Sequence, residues 1–156
     1  MEKMKGTISK VRFSSELSGG ENSISTSQIA IFKLDKKPVE LKLPVSIVIE
    51  DGDNIFVAGK TKNGLFRALA YKNLSNGVSG KGPVVLNLIM GIIFTVVGIG
   101  TGAIAFFDIE LIRGLLWALK LLFFSSIGLI FTLIGLYMIH YSRQLSKAYE
   151  IVANEF

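Results

Sequence analysis

The residues able to do chemistry in this chain are few and scattered. Glu50, Asp51 and Asp53 crowd one turn. Carboxylates so grouped bind Ca²⁺ weakly when other oxygens complete the set, and they also make ordinary acidic turns. His140 is the only histidine and there is no cysteine, which excludes disulfides, thiolate metal sites and cysteine nucleophiles. The run Gly77-Val78-Ser79-Gly80-Lys81-Gly82 imitates a phosphate loop. That motif, GxxxxGK[ST], needs a glycine where Ser75 stands and a hydroxyl where Gly82 stands. The run therefore reads as a flexible linker. No serine can be matched to a histidine and an acid, and no carboxylate pair has a general acid–base arrangement. The expectation is a protein without catalytic residues, metal ligands or cofactor, and not an enzyme.

The elements that carry these residues divide sharply by composition. From Met1 to Pro83 the chain is polar, charged throughout and punctuated by glycine; from Val84 to Tyr141 it is almost unbroken apolar sequence. The first part holds thirteen Lys and Arg against eight Asp and Glu, which accounts for the whole formal charge of +5. Such a balance suits a domain beside an anionic leaflet, where each Lys or Arg contributes about 1 kcal/mol of attraction. It equally suits weak nucleic-acid affinity. The stretch after Met1 has no apolar core of signal type. The first segment expected to engage insertion machinery begins near Val84.

Spanning the hydrocarbon core takes about 20 apolar residues in a helix. Residues 84–107 contain no charge, and 115–139 contain only Lys120. Both are predicted to be transmembrane helices of one hairpin (84–141), joined by a short polar connection with Asp108, Glu110 and Arg113. Arg67, Lys72 and Lys81 precede the first helix, and Arg143 and Lys147 follow the second. The positive-inside rule then puts both termini in the cytoplasm and the hairpin in the inner membrane. Phe106, Phe107 and Trp117 suit one interface, Tyr137 and Tyr141 the other. Gly91, Gly98 and Gly102 in the first helix, with Ser125, Gly128, Thr132 and Gly135 in the second, are predicted packing residues, because small side chains let backbones approach. They serve the hairpin, a homo-oligomer, or both. Lys120 lies about 7.5 Å inside the second helix. It either snorkels to the interface or lines a pore or partner contact.

Residues 1–79 read as a small all-β domain, 80–83 as the linker, and 142–156 as a cytoplasmic tail. Thr7 to Ser14 alternates, Ser15 to Ser23 reads as a polar loop, and Ile24 to Leu34 and Val39 to Leu43 read as strands around the turn at Asp35-Lys36-Lys37-Pro38. Val45, Ile47 and Ile49 alternate in turn. Ile55 to Gly59 and Leu65 to Tyr71 flank Asn63-Gly64, a hairpin signal because both residues accept positive φ. About five strands in this length fit a closed or nearly closed OB-like or SH3-like barrel, with an open sandwich as the alternative.

The run from Glu50-Asp51-Gly52-Asp53 through Gly59, then Gly64 to Asn73, resembles the Gly-Asp hairpin of OB-fold domains. The chain is similar to uncharacterised bacterial membrane proteins that carry such a domain. It is more distantly similar to NfeD-type proteins, in which the domain follows the membrane helices instead of preceding them. The resemblance implies a fold and a setting and brings no catalytic residues.

Three jobs fit these features. The first is a membrane-anchored interaction module whose OB-like domain binds a protein partner or its own copies, with the lipid bilayer as its other contact. Lys60, Lys62, Arg67, Tyr71 and Lys72 would form the contact surface. The second is a small oligomeric pore or membrane-perturbing effector gated by the soluble domain. The third is a membrane-tethered nucleic-acid binder. Phe56, Phe66 and Tyr71 lie close in sequence to the basic residues, and alternation turns Phe56 and Phe66 toward the core and sets Tyr71 on the face of Arg67 as the stacking platform.

Overall fold

The computed structural model describes the backbone of residues 1–20, 23–107 and 115–154, and their side chains outside 17–26, 104–118 and 120. The helix connection with Asp108, Glu110 and Arg113, the aromatics Phe106, Phe107 and Trp117, and the Lys120 side chain lie outside the described residues. The chain forms two compact units, Met1–Val84 with Gln144–Phe156, and Val85–Arg143.

The first unit is a closed five-stranded β-barrel of OB-like topology. Its strands are β1 (Glu2–Gly20), β2 (Ser23–Leu34), β3 (Lys37–Leu43), β4 (Asn54–Lys62) and β5 (Leu65–Asn73), with a short β6 (Ser79–Lys81) added. They lie in the order β3-β2-β1-β4-β5-β6, and a parallel β3–β5 pairing closes the ring. Two tight turns set the register. Asp35-Lys36 and Asn63-Gly64 each place two successive residues at positive φ, the geometry whose twist matches that of a hairpin.

β1 serves two neighbours. Glu2 to Thr7 pair with β4, while Ile8 to Gly20 pair with β2. Between Ser9 and Arg12 the register shifts, and Lys10 sits there at φ 59. This bulge bends the strand as it passes from one partner to the other.

The barrel core follows from alternation: Val39, Leu41 and Leu43 from β3, Phe32 and Leu34 from β2, Ile55 and Val57 from β4, all buried. Residues 44–53 form no strand; of the alternating set Val45, Ile47 and Ile49, the last two are buried and Val45 is exposed. Side chains satisfy this segment's backbone in place of a ladder. Ile47 N–H donates to Gln28 Oε1 (2.8 Å), Val48 N–H to the Tyr71 hydroxyl (3.0 Å) and Glu50 N–H to Asp53 Oδ2 (2.8 Å). Buried Asn73 completes the arrangement, its Nδ2 donating to Asp53 Oδ2 (2.7 Å) and to Val48 O (3.3 Å).

Three sequence expectations are corrected here. The predicted Ser15–Ser23 loop, whose Glu21 and Asn22 lie outside the described residues, is instead from Ser15 to Gly20 a continuation of the β1–β2 ladder, paired residue by residue to Gly20↔Ser23. Its serines read as loop because polar residues recur along it without an apolar alternation. The predicted flexible linker contains β6, which pairs with β5. A Cβ at Gly80 would lie 2.5 Å from the Tyr71 ring, and one at Gly82 would lie 2.9 Å from Leu145; these glycines mark close packing. Finally, residues 142–156 do not form a separate tail. The second long helix runs unbroken to Ala153, and its last turns belong to the barrel unit.

Near the chain start, Glu2 ties β1 to β4. Its carboxylate accepts hydrogen bonds from the Thr61 hydroxyl (2.5 Å) and the Thr61 N–H (3.3 Å). These bonds hold its pKa below the usual carboxylate value. The stabilisation is present above the unfolded pKa and lost as pH falls through the lower folded one. Glu2→Gln should therefore flatten the acid limb of the thermal-stability profile of the detergent-solubilised protein while leaving its neutral-pH limb parallel to wild type.

Candidate functional site

The second unit is an antiparallel helical pair, α1 (Val84–Phe107) and the apolar part of α2 (Leu115–Ala153). Both helices are long and apolar enough to cross a membrane. Most of the predicted packing residues meet within this pair. A Cβ on Gly91 would lie 2.9 Å from Gly135 O, and one on Gly135 would lie 2.7 Å from Gly91 O. A Cβ on Gly98 would lie 2.5 Å from Thr132 N, and one on Gly128 would lie 2.8 Å from Gly102 N. At Gly91, Gly98, Gly128 and Gly135 the backbones thus touch where no side chain larger than hydrogen fits, whereas the predicted packing residue Gly102 has open space where its own Cβ would stand. Ser125 is half-buried. Gly100, not among the predicted residues, has open space around it.

Beneath these contacts lies a sequence repeat. Gly91–Gly98 reads GIIFTVVG and Gly128–Gly135 reads GLIFTLIG, identical at five of eight positions. Paired antiparallel, the two copies bring each glycine against the other copy's opposite end. Phe94 stacks on Phe131 at the centre (5.6 Å between rings). Thr95 and Thr132 each donate a hydroxyl to the carbonyl four residues back, Gly91 and Gly128, at 2.8 Å. The hairpin is therefore a local two-fold built from one octapeptide used twice. Aligning the two helices against each other would have revealed it.

Replacing Gly98 by Leu should separate the helices at the cost of at least about 3 kcal/mol, the upper range for overpacking. Gly100→Leu should be tolerated. Thermal unfolding in detergent separates the two outcomes.

The barrel unit holds a second apolar core, on the outer face of β4 and β5. Phe56, Ala58 and Ala70 are buried there against Ala148 and Val152 of α2, with Leu69, Leu74, Tyr149 and Ile151 around them. Lys60 Nζ donates to Gln144 Oε1 at 2.8 Å, and the Lys81 ammonium sits 3.8 Å from the Tyr149 ring centre, a cation–π contact. The sequence carries a signal for this core: Leu145, Ala148, Tyr149 and Val152 follow the i, i+3, i+4, i+7 pattern of an amphipathic helix. Val152→Asp would bury a carboxylate among these side chains. It should lower stability by about 3 kcal/mol or more and render residues 144–153 cleavable in limited proteolysis.

The predicted contact surface is rearranged accordingly. Tyr71 is fully buried and is not a surface platform. The reason is a bulge in β5, where Ala58 opposes Ala70 but Gly59 opposes Ala68. The extra residue, Leu69, reverses the alternation, so Tyr71 turns inward although Arg67 points out. Phe66 lies in the barrel core and Phe56 in the outer core. None of the three aromatics is available to stack on a base. Lys60 and Lys62 are exposed and Lys72 is half-buried. Arg67 Nε sits 3.2 Å from Glu40 Oε2 across the seam that closes the barrel.

The acidic turn is also internally engaged. Asp51 Oδ1 accepts from Val11 N–H at 2.9 Å, while Asp53 holds Glu50 and Asn73. Among the described residues, no three His, Cys, Asp or Glu side chains group as a metal set. An open concavity beside the β1–β2 ladder is lined by Phe13, Ser14, Ser15, Gln28 and Ile47, with Phe13 55% exposed. Comparisons with protein-family models, curated proteins and solved structures find no match to this chain.

Proposed function

We propose that this chain is a membrane-anchored interaction module. Its helical hairpin lies in the inner membrane, both termini are cytoplasmic, and its barrel binds a protein partner or a second copy of itself. One observation carries the reading: residues 1–84 and the last turns of α2 build a single unit. A chain whose two ends meet in one fold must return to the side it left, and two apolar helices provide that even number of crossings. The cationic residues Arg67, Lys72, Lys81, Arg143 and Lys147 flank the helices on that side, as the positive-inside rule requires of a cytoplasmic face. Outside the glycine contacts, Leu86, Ile89, Ile93, Val96, Leu129 and Leu133 are exposed on the helices, which suits contact with lipid.

The reading of the protein as an oligomeric pore draws less support. The small residues that would join subunits, Gly91, Gly98, Gly128 and Gly135, are occupied within the hairpin. Nucleic-acid tethering loses its aromatic platforms to the two cores.

The test is amine-reactive crosslinking in native membranes followed by purification of the full chain. Adducts with one defined partner, or with a second copy, are expected. Recovery of the chain without any adduct, under conditions that crosslink other membrane complexes, overturns the reading.

A further inference from the structure

We infer that the open edge of β1 between Arg12 and Glu16 is a self-association surface on which a second copy of this chain adds its own β1, antiparallel. The inference rests on the interaction-module reading and names the partner as another copy.

The β1–β2 ladder projects past the barrel. The β4 pairing of β1 ends at Thr7↔Asn54, and the β3 pairing of β2 ends at Gln28↔Leu43. Ile8 still exchanges backbone hydrogen bonds with Gly52 and Asp53, but from Arg12 on β1 pairs only with β2 among the described residues, through Gly20↔Ser23. A two-stranded ribbon is at best marginally stable in water, and every second residue of its outer edge offers an unpaired amide and carbonyl. Natural edges are guarded by proline, lysine or an inward charge. From Arg12 to Gly20 there is neither proline nor lysine.

The charges on this edge select its occupant. Arg12, Ser14 and Glu16 alternate onto one face of β1, and all three are exposed. An antiparallel copy related by a two-fold axis at Ser14 sets Ser14 opposite Ser14 and Arg12 opposite the partner's Glu16, twice. Opposite charges directly across a strand pair favour that register, and like charges oppose others. A register centred on Glu16 would face two carboxylates. On the other face Phe13 would meet the partner's Ser15, covering part of a ring now exposed beside Ile47. The ladder has a natural limit, because the next amide, Val11 N–H, is already taken by Asp51. Glu16 also pairs with Lys42 at 2.6 Å, which leaves its carboxylate flanked by two cations in the dimer.

The chain has no cysteine, so Ser14→Cys in the full protein supplies a unique thiol. In native membranes under mild oxidation this variant should form a disulfide-linked dimer, and Thr61→Cys, exposed elsewhere on the barrel, should not. Adding Arg12→Glu should cut the dimer fraction several-fold, and adding Glu16→Arg to that variant should restore it. Dimers captured by amine crosslinking but absent with Ser14→Cys would overturn the edge pairing and leave the interaction module standing. Absence of both kinds of adduct would overturn both. Dimers from Ser14→Cys that ignore the charge changes would overturn the register and with it this inference.

Discussion

Two strands of the barrel, β4 from Ile55 to Gly59 and β5 at Ala70 and Tyr71, are buried on both faces, and most of the barrel unit is arranged around that constraint. Inward, Ile55, Val57, Phe66 and Tyr71 fill the barrel. Outward, Phe56, Ala58 and Ala70 demand a cover, which the last turns of α2 supply. The bulge at Leu69 makes this possible, since it lets one strand present alternating residues to the core before the bulge and again, in opposite phase, after it. It also divides one edge of β5 between two neighbours. β3 pairs with Phe66 to Ala68 and closes the barrel, and β6 pairs with Ala70 to Lys72.

The helical pair depends on a different economy of space. Here the backbones themselves are the packing surface, and the octapeptide repeat makes the contact nearly self-complementary. In the bilayer setting we propose, there is no hydrophobic reward for helix association, so close backbone approach and dispersion must supply it. Bulk on these faces removes the contact, whereas bulk on the outward faces leaves it in place.

Much of this was legible in the sequence, and the misses share a cause. The strands around Asp35-Lys36 and Asn63-Gly64, and the two apolar helices, announce themselves through period and turn chemistry. The extended β1–β2 ladder did not, because its Ser-rich residues carry no alternation between apolar and polar. Tyr71 was misplaced because a one-residue bulge inverts every inference from alternation beyond it. The glycines at 80 and 82 read as flexible, since a sequence does not distinguish a glycine chosen for freedom from one chosen for lack of bulk. The outer core was missed although Leu145, Ala148, Tyr149 and Val152 spell it out. Their pattern trails directly from a membrane-like helix and was absorbed into a tail.

The barrel unit is discontinuous in the chain, and this gives its biosynthesis an order. A ribosome releases residues 1–84 first, with the apolar outer face of β4 and β5 still bare. The segment that covers it emerges only after both apolar helices have been made. The barrel unit's completion thus waits on both helices, and a chain cut short before Ala148 would leave Phe56, Ala58 and Ala70 uncovered. Such an arrangement links the integrity of the barrel unit to the full synthesis of the helical pair.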